Sequence, residues 1–307
     1  MMAYSIRRFG SALFVAWLAM TLAFVALRWV PGDAVDATLA RGGATAAEVA
    51  ARREALGLND PLWRQYGEYV LGLVQGDWGE SLVTEQPVAE IIWQNIGATS
   101  ALSGAALVIA VTLGVSLGIG ASLGRWRPIR YGAEGLAWLA LSTPVYWTAT
   151  LAIYLFTIVL GILPGVGGAG VRYLILPATV LGFHTAGSIA QVTAASIRDA
   201  LGQGFVRTAR AKGLPEFDVL DHVLRVGMLP VVAVVALQLG FLLSGTVITE
   251  IIFVRRGLGR VLLAAIDNRD YPVVVGVVVL SALTYSAINM LADVAYRLID
   301  PRVRMED

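Results

Sequence analysis

Apolar residues along this chain gather into long runs, at residues 9–27, 98–123, 134–160, 173–196, 228–253 and 273–296. Each run, as a helix rising 1.5 Å per residue, is long enough to cross the roughly 30 Å hydrocarbon core of a bilayer. The pattern therefore predicts six transmembrane helices in an all-α membrane bundle. The first run follows Arg7 and Arg8 and ends at Arg28-Trp29-Val30-Pro31-Gly32-Asp33. A cleaved signal peptide would have a shorter apolar core and a small-residue cleavage site, so this run is read as a retained span.

Between the runs lie two polar stretches with internal order. Residues 31–97 carry ten acidic residues and four arginines, and no apolar run there is long enough to cross a membrane. Helices are expected at 46–56 and 61–74, with a turn at Gly76-Asp77-Trp78-Gly79. The second stretch reads Phe205-Val206-Arg207-Thr208-Ala209-Arg210-Ala211-Lys212-Gly213-Leu214-Pro215-Glu216-Phe217 and continues to Pro230. A helix is expected over 198–212, with its cations in the last turns, where they suit the negative end of the helix dipole. Gly213 closes that helix in a left-handed conformation, and Pro215 opens a new one whose first turn holds Glu216 and Asp218. Phe217, Leu220, Val223 and Leu224 give the second helix an apolar side. Pattern alone leaves three readings open: a helix in the lipid headgroups, a solvated connector, or a docking element.

Inside the spans, Gly114, Gly118 and Gly120 permit close helix approach. Ser142-Thr143-Pro144 interrupts the third run and Leu176-Pro177 enters the fourth, where freed backbone groups must find neighbours or water. His184 is the ionisable residue that falls well inside a run, and such residues are functional candidates. A neutral imidazole bonded to a neighbouring helix is the preferred reading. Glu134, Glu250 and Asp293 fall near span ends, within expected reach of water. Ser142, Pro144, His184 and Gln238 are the candidate pathway residues.

Composition narrows the class. Over 307 residues, 57% are hydrophobic, mean hydropathy is +0.71 and only 15% are charged, too apolar for an ordinary soluble domain. The net charge of +1 gives no sign of a nucleic-acid partner. There is no cysteine, and the two histidines, His184 and His222, are too few and too separated for a His-rich metal site. No GxxxxGK[ST], HExxH or GxSxG motif occurs, so catalytic residues, metal ligands and bound cofactors are not expected in this chain. With the N-terminus inside, thirteen of the 23 basic residues fall on cytoplasmic segments, which puts both termini and the 198–227 loop on that side.

Thr208-Ala209-Arg210-Ala211-Lys212-Gly213 followed by Leu229-Pro230 resembles the cytoplasmic loop of bacterial ABC importer permeases of the dipeptide/oligopeptide/nickel branch. Pro31-Gly32-Asp33, Leu56-Gly57-Leu58-Asn59-Asp60-Pro61 with Gln65-Tyr66, and Gly76-Asp77-Trp78-Gly79-Glu80-Ser81 resemble that branch's first periplasmic region. Ser142, Pro144, Tyr146 and Trp147, the Leu160–Pro164 loop, and the segments Thr249–Phe253, Gly257–Arg260 and Asn268–Val274 are similar as well. The likeness runs to Asp300-Pro301-Arg302. Gln191 and Ala194 depart from it, standing where the branch usually has arginines.

The resemblance implies a type I importer permease with four parts: a tip and first span at 1–30, a periplasmic region at 31–97, a five-helix core at 98–297 and a cytoplasmic tail at 298–307. It implies one half of a translocation pathway in the bacterial inner membrane, most simply for di- or oligopeptides, with nickel, glutathione or oligosaccharide as alternatives. Expected partners are a second homologous permease, two cytoplasmic ATPases that hold ATP and Mg²⁺, an extracytoplasmic solute-binding protein and the lipid bilayer. Thr208, Ala209, Ala211, Lys212, Gly213, Leu214, Pro215, Glu216 and Phe217 would be the coupling residues. Two rivals come from other classes. A self-sufficient secondary transporter would show internal repeats or paired midplane charges, and an intramembrane enzyme would use His184 with Ser188 one turn on.

Overall fold

The computed structural model describes residues 2–29, 35, 45–168 and 170–299. Pro31-Gly32-Asp33 and Asp300-Pro301-Arg302 lie outside the described residues, as does the Asp293 side chain. Most of the described residues are helical, and the β structure among them is one isolated antiparallel bridge between Glu80 and Pro87. Four helices are long and apolar enough to cross a membrane, and the number reaches six when each of two bent helix pairs is taken as one span.

The chain divides into two compact units, residues 1–99 with 256–284 and residues 100–255 with 285–307. The first contains α1 (Met2–Trp29), α2 (Ala46–Ala55), α3 (Leu62–Val74), the start of α4 (Val88–Leu123), α12 (Leu258–Asp267) and the first half of α13 (Tyr271–Ile299). Both helices of the polar lobe stand where the pattern put them. Thr45 caps α2 reciprocally: its hydroxyl accepts from Glu48 N and its backbone N–H donates to Glu48 Oε2, which holds that carboxyl below its usual range. Met20, Val275 and Val279 form one core with Tyr66, Val70 and Leu73 of α3. Val88, Ile92, Leu258, Ala265, Val273, Val274 and Val277 form another.

Ser81 and Asp270, 189 positions apart, are joined inside this unit. The Ser81 hydroxyl donates to Asp270 Oδ2 at 2.5 Å and Leu82 N–H to Oδ1 at 3.1 Å, while Ser81 Oγ accepts from Thr84 N. Both residues are buried. Burial pushes the Asp270 carboxyl above its ordinary value against the opposing pull of these donors.

In the second unit α7 (Val171–Leu201) is the central element. It packs against α5 (Arg127–Ser142), α6 (Val145–Ile153), α9 (Glu216–Gly227), α10 (Leu229–Gly245) and α11 (Val247–Ile252). The approach of α4 to α7 requires glycine: a Cβ on Gly118 would stand 2.4 Å from Thr193 Cβ, and one on Gly114 2.7 Å from Ile189 Cβ. Gly120 faces Ala133 of α5 instead. Pro177 is carried inside α7.

Four expectations are corrected. The helix of the second run does not begin with the run at 98: α4 starts at Val88, so ten helical residues precede the apolar stretch. The third is not one rod. It breaks at Thr143-Pro144 into α5 and α6, α6 runs on as a π-helical segment Tyr154–Val159, and the two halves meet at 105°. The 198–212 helix is two pieces, since α7 continues to Leu201 and α8 (Gly204–Ala211) begins after a turn at Gly202 and Gln203. Glu250 is not near water: its exposure is 0%, and Oε1 accepts from Thr246 Oγ1 at 2.9 Å. A run of apolar letters fixes none of these ends, because a helix can outlast its apolar stretch when neighbours cover it.

Candidate coupling loop and pathway residues

The α8–α9 connector closes with local bonds. Gly213 takes φ +75°, Leu214 N–H donates to Ala209 O at 3.2 Å and Gly213 N–H to Arg210 O at 3.0 Å. This is the Schellman pairing, with the accompanying apolar residue Leu214 turned inward near Ala209. Nothing lies within 4 Å of a Cβ built on Gly213, so the demand for glycine there is conformational and not spatial. Pro215 then precedes α9 with φ −54°.

The rear of this helix pair is pinned. Val206 of α8 and Val219 and Val223 of α9 are buried with Ile197 and Ala200 of α7. The inward stripe of α9 is Val219, Val223 and Gly227, with Leu220 and Leu224 half-buried beside it. Phe217, expected on that face, is 81% exposed instead. It precedes Val219 by two residues, about 200° around a 3.6-residue helix, and so points the other way. Thr208, Ala211, Lys212, Gly213, Pro215 and Glu216 are exposed with it, whereas Ala209 and Leu214 are partly buried. Arg210 and Glu216 bridge the turn at 2.6 Å, and the guanidinium holds the Glu216 carboxyl below its usual range. Both partners are exposed, so the bridge adds little stability.

The pathway residues divide into two groups along α7. Helix α5 ends where Pro144 has no N–H to give the carbonyl of Ala140, four residues earlier. His184 Nδ1 supplies that bond at 2.8 Å. A carbonyl only accepts, so Nδ1 carries the proton, and Nε2 lies within hydrogen-bond distance of Thr148 Oγ1 at 2.6 Å. The Ser142 hydroxyl caps Trp138 O at 2.8 Å and that of Thr143 caps Leu139 O at 2.7 Å. Ser142, Pro144 and His184 thus meet at one helix break.

Gln238 does not join them: its Nε2 donates to Ser188 Oγ at 2.6 Å, tying α10 to α7 one turn along. Ser188 in turn donates to Thr185 O at 3.0 Å. His184 and Ser188 are therefore engaged elsewhere and form no base–nucleophile pair. Thr148 was missed by the sequence reading; a threonine four residues after a proline carries no signal of a histidine partner 36 positions on. Gln191 and Ala194 line a cavity of about 320 Å³ with Trp138 and the Glu134–Arg198 ion pair, 3.2 Å long.

Comparison with known proteins gives the same class. Residues 110–305 match the family described as binding-protein-dependent transport system inner membrane component, and residues 1–103 match its N-terminal companion. The chain is 38% identical over 307 residues to the glutathione transport system permease protein GsiC of Salmonella choleraesuis (strain SC-B67), covering 99% of both chains. It is equally similar, with the same coverage, to GsiC of Escherichia coli (strain K12). A crystal structure of an amino acid ABC transporter with histidines shares the fold, with a TM-score of 0.54 at 16% identity over 70% of this chain and 95% of that one. The broken third span, the central α7 and the α8–α9 pair are thus the architecture of a multi-pass inner-membrane permease, and the chain belongs to the binding-protein-dependent ABC importer family.

Proposed function

We propose that this permease forms half of an import pathway for small peptides, including γ-linked ones such as glutathione, and that the exposed head of α9 is where a separate ATPase pushes on it. The observation that carries the coupling role is Phe217. A large aromatic at 81% exposure stands on a helix whose opposite face is fixed to α7. Force applied to that head is delivered to the helix that also holds the α5–α6 break through His184. Rocking of the two permease halves driven by ATPase closure then follows from this connection.

In this reading a second homologous permease completes the pathway, two ATPases hold ATP and Mg²⁺, and a solute-binding protein docks on the outer face near the 45–87 lobe. Both termini and the α8–α9 loop face the cytoplasm. The peptide class is supported by the full-length likeness to proteins named as glutathione permeases.

Phe217→Ala tests the coupling role, because truncating an exposed side chain leaves the fold intact. Uptake and ATPase association should both fall while expression and insertion stay normal; unchanged uptake would remove this loop from the coupling path. A cysteine at Glu68, in a chain with none of its own, should be labelled from outside the cell, and labelling confined to the cytoplasmic side would invert the proposed orientation.

A further inference from the structure

Within the first unit, a cavity of about 220 Å³ opens among α1, α3, the 77–82 turn and the start of α13. Arg28, Gln65, Glu68, Tyr69, Asp77 and Tyr271 are among the residues on its wall. Three features set it apart from an ordinary packing defect.

The first is the cation. Among the described residues, the bonds of the Arg28 guanidinium go to neutral groups: Nη2 donates to Gln65 Oε1 at 2.8 Å and Nη1 to Phe24 O at 3.5 Å. Its carbon lies 3.5 Å from the Phe24 ring centroid and 5.4 Å from that of Tyr271. Gln65 is locked in this pose because its Nε2 donates to Leu58 O and Asp60 O, which leaves Oε1 facing Arg28. A half-buried guanidinium with five donors is thus oriented by neutral and aromatic neighbours and has donors to spare.

The second is Tyr69, whose hydroxyl oxygen is buried without a hydrogen-bond partner. Burial pushes this hydroxyl up, so it remains a proton donor. An orphaned buried donor is costly, and native proteins keep few of them.

The third is the wall itself. Glu68 is paired with Arg64 at 3.0 Å, and Asp77 Oδ1 accepts from Gly79 N at 2.8 Å. Both carboxylates line the same cavity. A bare anion would meet them unfavourably, whereas a ligand with an acid group at one end and an ammonium at the other suits both. The volume equals the share of about seven water molecules, enough for an amino acid or one end of a dipeptide.

We propose that this cavity binds a small zwitterion, with its acid group on Arg28 and Tyr69 and its ammonium toward Glu68 and Asp77. The proposal does not rest on the transport reading. The zwitterion has two possible sources, an amino acid or short peptide in solution and a phosphatidylethanolamine headgroup.

Calorimetric titration of the full chain in detergent micelles with glycylglycine tests it. Saturable binding is expected, weakened about tenfold or more by amidation of the ligand carboxylate, as for a lost hydrogen bond to a charged group. Tyr69→Phe should weaken binding about fivefold while leaving the melting temperature unchanged or raised, because it deletes an unpartnered hydroxyl. This separates ligand recognition from folding where Arg28→Met, which also disturbs the Phe24 contact, would not. Repeating the titration in phosphatidylcholine nanodiscs with and without phosphatidylethanolamine assigns the source. Loss of glycylglycine binding only when the ethanolamine lipid is present identifies the headgroup as the natural zwitterion and supports the site. No saturable heat at about 10 mM ligand, where even a millimolar Kd would be seen, or equal binding of acid and amide, overturns it.

Discussion

The two proline-containing breaks flanking α7 solve the same problem by different means. At Thr143-Pro144 the chain bends through 105°, and the carbonyl of Ala140, a buried residue, loses its natural donor. No local group replaces it, and the bond comes from His184 on another helix. At Gly213-Leu214-Pro215 the freed carbonyls are satisfied within five residues, by N–H groups of the turn itself. Where water is scarce, a broken helix needs a distant partner, so the break becomes a joint between helices. A break that satisfies itself leaves its outer surface free. That is why Phe217 and Lys212 can stand exposed while the rear of the pair stays packed.

The contrast predicts different responses to substitution. Gly213→Val should have the largest functional effect: a β-branched residue in the left-handed region costs about 1–2 kcal/mol or more, and the turn that aims α9 is lost. Uptake should collapse with insertion and expression intact. Gly213→Asn, which tolerates that conformation, should retain most uptake; equal loss in both variants would show that backbone handedness is not what the turn requires.

Next in size is His184→Ala, which leaves the Ala140 carbonyl orphaned and should cost about 1–3 kcal/mol. Thermal melting of the purified chain would register it, and a melting temperature like that of the parent would mean the break is satisfied some other way. Pro144→Ala combined with His184→Ala sharpens the point. Restoring the N–H at position 144 offers Ala140 its own donor, so the double variant should be less damaged than the sum of the singles, and strict additivity would uncouple the two residues.

The smallest effect belongs to the Arg210–Glu216 bridge. Because the Glu216 carboxyl is held low in the folded loop, its contribution is present above the unfolded value and fades as pH falls through the folded one. Glu216→Gln should flatten that acid dependence of loop protection in hydrogen exchange while barely changing it at neutral pH. A large loss at neutral pH would give the bridge a weight that its exposure argues against.

Much of this was legible in the chain itself, because its signals are local. Apolar run length sets which segments can cross a bilayer. Gly213 and Pro215 mark a stop and a start whatever surrounds them. The resemblance carried by Thr208–Gly213 and Asn268–Val274 set the family. What the tertiary structure alone decided involves partners far apart in sequence. His184 meets Ala140 and Thr148, Asp270 meets Ser81, and Arg28 meets Gln65. The direction of Phe217 was also settled in three dimensions, since packing against α7 took Val219 and Val223 as the inward face and left Phe217 outside. A sequence states which groups a helix leaves unsatisfied; only the packing of other helices determines which side chain arrives to satisfy them.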